Sequence, residues 1–212
     1  MAQSKKPEKI ADKPLVAHKD SEPTIIIQEP DFDLIGQGLL GNHVHFLTGE
    51  LGDENISRAI QWIVFEHTNA VKPDRLILYI NSGGGDLYSA FALVDIMTLS
   101  TIPVYTVGIG NIMSAAALIF ACGAKGHRYV APHTGIMMHE FYTDMEGKEH
   151  EIKASMTEMI NCRARVNELL TDHCGITEKK IKETLLQSSD VWLTAKEAIR
   201  CKLADKMLTQ IL

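Results

Sequence analysis

The feature that most constrains this chain is an alternation. From Asp31 onward, short runs of β-branched and other apolar residues take turns with amphipathic segments of helical period. That rhythm belongs to repeated βαβ units, in which parallel strands form a sheet and the helices cover it. Residues 43–48 read as a strand and 53–69 as a helix, with Ile56, Ile60, Ile63 and Val64 on one face. Residues 75–80 form a buried strand that runs into the turn Asn81-Ser82-Gly83-Gly84-Gly85-Asp86. A helix over 87–99 and a strand over 103–108 repeat the unit, and 114–122 is a further helix that Gly123 can close. Short strands follow at 127–130 and 135–139.

Residues 149–173 are a different object, a helix of about 25 residues and so about 37 Å long at 1.5 Å per residue. Its apolar positions Ile152, Met156, Ile160, Val166 and Leu170 fit either a protruding, partner-binding arm or a helix lying across the sheet. Short helices at 181–187 and 194–200 close the chain, the second with Thr194 and Glu197 as a capping box. Residues 1–23 are rich in Lys, Glu, Asp and Pro and lack any period, which predicts a mobile leader, of the kind a propeptide provides. The isoleucines at 25–27 make a short strand-like run after it. The expected division is a leader and axial segment over 1–30 and a single domain over 31–212, as suits a chain of 212 residues.

Composition removes several function classes. Acidic residues outnumber basic ones by 27 to 21, giving a net charge of −6, which argues against nucleic acid as a partner. No apolar run approaches the roughly 20 residues of a membrane span, and no signal-like stretch opens the chain, so a cytoplasmic protein without membrane contact is expected. Cys122, Cys162, Cys174 and Cys201 form no C-x-x-C pair, and neither a metal site nor a cofactor is expected in this chain.

The chemistry-bearing positions are individually weak. Gly83-Gly84-Gly85 exposes main-chain N–H groups with no Cβ in the way, as an anion hole requires, and equally makes a plain tight turn. It ends in neither the Gly-Lys-Ser/Thr of a phosphate loop nor a dinucleotide fingerprint. Ser114 stands where a strand leads into Ala115-Ala116-Ala117, as a nucleophile beside the N–H of Ala115 or as an ordinary helix cap. His139 ends the apolar strand Gly135-Ile136-Met137-Met138, where side chains project into clefts, though a satisfied core histidine reads the same. Asp190 suits a turn as well as a catalytic carboxylate. Together they supply nucleophile, base, orienting carboxylate and oxyanion donors for acyl transfer.

Ordered motifs carry a resemblance that no single residue does. Phe46-Leu47-Thr48-Gly49-Glu50, Leu78-Tyr79-Ile80-Asn81-Ser82, Gly123-Ala124-Lys125-Gly126, Ile136-Met137-Met138-His139, Asn167-Glu168-Leu169 and Ala195-Lys196-Glu197-Ala198 recur in order. On these the chain resembles the ClpP peptidase family from about Asp31 to its end. The resemblance implies a crotonase-like α/β fold, a spiral of ββα units with a protruding helix-strand handle at about 140–173. It implies Ser114 as nucleophile, His139 as general base and Asp190 as its partner, with Gly85 and Ala115 as oxyanion donors and Gly84 supporting the turn.

The same resemblance implies a homo-oligomer of two stacked heptameric rings, joined by the handles around a closed chamber. A Clp AAA+ unfoldase would feed it unfolded polypeptides and would itself use the ATP. Tyr79 and the isoleucines at 25–27 would then be ATPase contacts. The chain departs from the family pattern at Gly83, where Pro is usual, at Ile112-Met113 and Ala115, at Glu140-Phe141 and over 142–145 beyond the histidine, and at Ser189, where an Arg adjoins the aspartate. Two other readings stand beside the peptidase: a non-catalytic ring subunit, and an enzyme acting on CoA esters in which Gly84-Gly85 polarises a thioester.

Overall fold

A computed structural model describes residues 32–140 and 145–212. The leader over 1–30, with its isoleucines, and residues 141–144 lie outside the described residues. The elements run α1 (Phe32–Gly41), β1 (Val44–Thr48), α2 (Asp53–Thr68), β2 (Leu76–Ser82), α3 (Leu87–Leu99), β3 (Val104–Met113) and α4 (Ala115–Ala121). They continue with β4 (Arg128–Val130), β5 (Gly135–Met138), α5 (Glu149–Cys174), α6 (Glu178–Thr184), β6 (Val191–Thr194), α7 (Ala195–Arg200) and β7 (Lys206–Met207). Strands β1, β2, β3, β4 and β7 are neighbours in that order and all run parallel, the α/β architecture the alternation predicts.

The middle strand β2 is an unbroken apolar run because both faces are covered. Leu76, Leu78 and Ile80 point into the main core beneath α2, α3 and α4, while Ile77 and Tyr79 face a smaller cluster with Val44 and Val107. Each fully buried Leu or Ile there contributes about 2 kcal/mol. Phe120, wholly buried on α4, is the largest of the fully buried side chains, and Phe120→Ala should cost about 4 kcal/mol.

Strand β3 positions the chemistry. It was expected to stop at Gly108 but continues to Met113, and its two halves have different neighbours. Thr106–Gly108 pair with β4, whereas Asn111–Met113 pair with β5. Gly110, at φ +61, lets the strand pass Asn81, whose Oδ1 accepts the Asn111 N–H at 3.2 Å. The split makes the sheet diverge and leaves the end of β3 lying along β5.

Helix α5 satisfies parts of both sequence readings. Its buried residues, Cys162, Val166, Leu170 and Cys174, all lie in its C-terminal half, and residues 149–161 include none. The C-terminal half therefore packs on the domain, while the N-terminal half buries none of its side chains and reaches α3 only through exposed and half-buried ones such as Glu158. Three elements were not foreseen: α1, with three glycines, the short β7, and β6, which pairs antiparallel with β5.

Candidate active site

Ser114 follows β3 directly and takes φ +53, ψ −125, a conformation rare for a residue with a side chain. Holding it costs about 1–3 kcal/mol. The strain is imposed from both sides, because the Ser114 N–H donates to the Met137 carbonyl of β5 at 2.8 Å while the chain must turn at once into buried α4. The hydroxyl makes no cap bond to the helix. It lies instead 2.8 Å from His139 Nε2. Ordinary capping thus does not describe this serine: its Oγ faces an imidazole, and Nε2 can accept its proton when the other ring nitrogen carries the hydrogen.

His139 arrives by strand register. Met113 pairs with Met137, so Ser114, one residue beyond β3, and His139, two residues beyond that pair on β5, come to the same rim. Both are half-buried, which leaves the pair open to a substrate.

The glycine turn comes close to the same serine. Gly84 has φ +93, and a Cβ there would lie 2.7 Å from the Met113 carbonyl oxygen and 2.8 Å from Ser114 Cβ. Gly85, at φ +146, bridges to Leu51, whose main chain a Cβ would strike. Ser82 Oγ accepts the Gly84 N–H at 3.1 Å and donates to the Gly49 carbonyl at 2.5 Å. Among the described residues, the N–H groups of Gly85 and Ala115 have no hydrogen-bond partner. Two main-chain donors thus flank Ser114.

Asp190 is exposed, and no hydrogen bond joins it to His139 in this structure. The last rung of the β5–β6 ladder pairs Met138 with Val191, and His139 and Asp190 are the next residues on each chain. Directly opposed antiparallel residues have their Cβ atoms about 5 Å apart on one face. Asp190 thus lies one residue beyond the ladder's last pair, as His139 does, with no hydrogen bond between them.

The pair opens onto a cleft of about 670 Å³. Gly83, Gly85, Asp86 and Tyr88 form one wall, the face of α5 carrying Ser155, Glu158, Cys162 and Val166 forms another, and Leu118, Met138 and Leu186 are apolar lining. Tyr88, on α3, donates from its O–H to Glu158 at 3.1 Å across the cleft. The Glu158 carboxylate also accepts from Asn161 at 3.2 Å and from Arg165, whose guanidinium lies 4.9 Å from the Phe91 ring centroid. The Asn161 bond foremost, then those of Tyr88 and Cys162 and the charge of Arg165, outweigh desolvation and hold this carboxyl below its usual range. The Cys162 contact, desolvation and Glu158 push the Tyr88 phenol up to about 12. Sequence reasoning did not foresee the contact between Tyr88 and Glu158 across this cleft. The helical spacing of Ser155, Glu158, Cys162 and Val166 was available, but nothing in it pointed to α3.

A larger hollow, about 1,080 Å³, lies between α1, β1 and α2. It holds no nucleophile–base pair among the described residues, so chemistry rather than size selects the smaller cleft. No group of three or more metal-ligating side chains occurs among the described residues. No described helix is long and apolar enough to cross a membrane.

Comparison with known proteins agrees with this architecture. The sequence pattern of the family described as Clp protease matches residues 28–211. The chain is 32% identical over 179 residues to the ATP-dependent Clp protease proteolytic subunit 2 of Treponema denticola, covering 84% of this chain and 87% of that protein. It is 31% identical over 175 residues to the ATP-dependent Clp protease proteolytic subunit 1 of Rhodopirellula baltica, covering 82% and 75%. With a matching pattern over nearly the whole described chain and two such relatives, this protein belongs to the Clp protease family.

Proposed function

We propose that this chain is the proteolytic subunit of an ATP-dependent Clp protease, a serine endopeptidase acting through Ser114. The observation that carries the reading is the 2.8 Å contact between Ser114 Oγ and His139 Nε2, held by a strained serine between two unpaired main-chain donors. In the reaction His139 removes the hydroxyl proton as Oγ attacks the peptide carbonyl. The developing oxyanion takes hydrogen bonds from the Gly85 and Ala115 N–H groups, which Gly84 lets approach. His139 then hands its proton to the leaving amine, and water, activated by the same imidazole, releases the acyl group from Ser114. Asp190, rotated toward the ring, stabilises the imidazolium and fixes its tautomer.

The assembly belongs to the same proposal: two stacked heptameric rings, with the N-terminal part of α5 as the joining arm. Unfolded polypeptides reach the chamber from a Clp AAA+ unfoldase that consumes ATP, and the subunit itself needs no cofactor. The reaction is assigned to the cytoplasm. An unselective nucleophile is tolerable there because entry, not recognition, limits what is cut.

The test is turnover of a fluorogenic peptide, and of an unfolded protein together with a Clp ATPase, by the assembled protein. We expect turnover that vanishes in Ser114→Ala, and covalent labelling of Ser114 by a fluorophosphonate. Absence of both in an assembled oligomer would favour a non-catalytic ring subunit. Tight acyl-CoA binding without peptide turnover would favour the thioester enzyme.

A further inference from the structure

The cleft beside Ser114 has one feature that neither the nucleophile nor the oxyanion donors require. Tyr88 and Glu158 come from opposite walls and bond to each other over the buried thiol of Cys162. Cys162 lies 3.7 Å from the Tyr88 oxygen and 3.5 Å from Glu158. The ring of Tyr88 is held again by Phe91, edge-on at 6.4 Å, and by the Arg165 guanidinium at 5.8 Å. This is also the level of α5 at which burial ends: Cys162 is buried, and no residue before it on the helix is. An aromatic ring that is half exposed yet held by a hydrogen bond, an edge contact and a cation is a fixed obstacle.

Resting on the peptidase reading, we propose that Tyr88 is a specificity-determining residue that limits the size of the substrate side chain entering the cleft beside Ser114. Leu118, Met138, Val166 and Leu186 give that space an apolar lining, so aliphatic side chains gain from entering it. The tethered ring, fixed to α5 through Glu158, closes its α3 side and excludes bulky aromatic ones. A tether matters because an untethered tyrosine would rotate aside at little cost, while this one must break its bond to Glu158 and leave Arg165.

Two series test the idea. Peptides differing only in the residue whose carbonyl is cut, from Ala through Leu to Trp, are compared in the wild type, Tyr88→Phe and Tyr88→Ala. The wild type should prefer Leu over Trp, and Tyr88→Ala should shift the ratio of kcat/KM toward Trp about tenfold or more. Tyr88→Phe, which keeps the ring and loses the tether, should shift it about threefold. In parallel, the rate at which Ser114 is labelled by fluorophosphonates of increasing bulk reads entry without requiring turnover. It should rise in Tyr88→Ala for bulky probes alone. A uniform loss across either series, or an unchanged ranking, would overturn the inference and leave the peptidase reading intact. Failure of even the smallest probe to label Ser114 in the assembled wild type would remove that reading, and this one with it.

Discussion

The two ends of β3 carry polar clusters built on opposite terms. Near its start, beside Thr106, Arg128 is buried and each of its guanidinium nitrogens donates. Nε and Nη2 reach the two oxygens of Asp205 at 2.8 and 2.6 Å, and Nη1 reaches the Ala121 carbonyl at 3.0 Å. Nη1 also lies within reach of the His173 carbonyl at 3.4 Å and the Cys174 sulfur at 3.2 Å. At its end, Ser114 is strained, the flanking N–H groups of Gly85 and Ala115 lack partners among the described residues, and Asp190 makes no hydrogen bond to His139. A satisfied buried network fixes geometry, whereas an unsatisfied, half-buried one is available to a substrate. One strand thus separates what holds the fold from what acts.

Mutation can break that division. Ser114→Ala should lower peptide turnover by about four to six powers of ten while leaving thermal unfolding nearly unchanged, as peptidase assays and calorimetry would report. Asp190→Asn should cost up to about 10⁴ in kcat if the aspartate rotates onto His139. A kcat within a factor of a few of wild type would mean that Ser114 and His139 work as a dyad.

Asp205→Ala should do the reverse, destabilising the fold by about 3–5 kcal/mol by stranding the buried Arg128, with kcat per folded molecule preserved. Chemical denaturation and active-site titration together would separate the two effects. Burial draws the Asp205 carboxyl up, but the hydrogen bonds and charge of Arg128 prevail and leave it below its ordinary value. A depressed folded-state pKa means that the stabilisation is complete above the unfolded value, roughly pH 4, and drains away as pH falls through the folded value. Stability measured in steps below pH 5 should therefore fall less steeply in Asp205→Asn than in the wild type.

The smallest effect expected is a gain. Ser114→Gly relieves the positive φ and should stabilise the protein by about 1 kcal/mol while abolishing turnover. A loss of stability instead would mean that the hydroxyl's bond to His139 outweighs the backbone strain.

Periodicity made most of the scaffold legible. Helix α3 was expected over 87–99 and occupies Leu87–Leu99, since its apolar face and the Asp86 cap, which accepts the Ser89 N–H at 2.7 Å, agree. What escaped were places where local preference loses to tertiary contact. Gly108 looked like the end of β3, yet the strand runs through it to pair with β5, and the Ile112 side chain packs where a Cβ at Gly108 would be. Helix α1 has three glycines and little propensity; Leu39 packs it against Val44, Ile77 and Tyr79. Val191-Trp192-Leu193 read as the surroundings of an aspartate rather than as β6, although its apolar run was visible. Around Ser114 the local residues suited a helix cap as well as a nucleophile, and the family resemblance supplied the choice; its φ was not legible at all, because no local rule assigns a serine to that region.

The main-chain bond from Ser114 to Met137 has a mechanical consequence. It fastens the backbone of Ser114 to the strand that leads to His139, so the main chain carrying the alcohol and that carrying the imidazole share one seam. Asp190 lies outside that seam, as the residue just before β6.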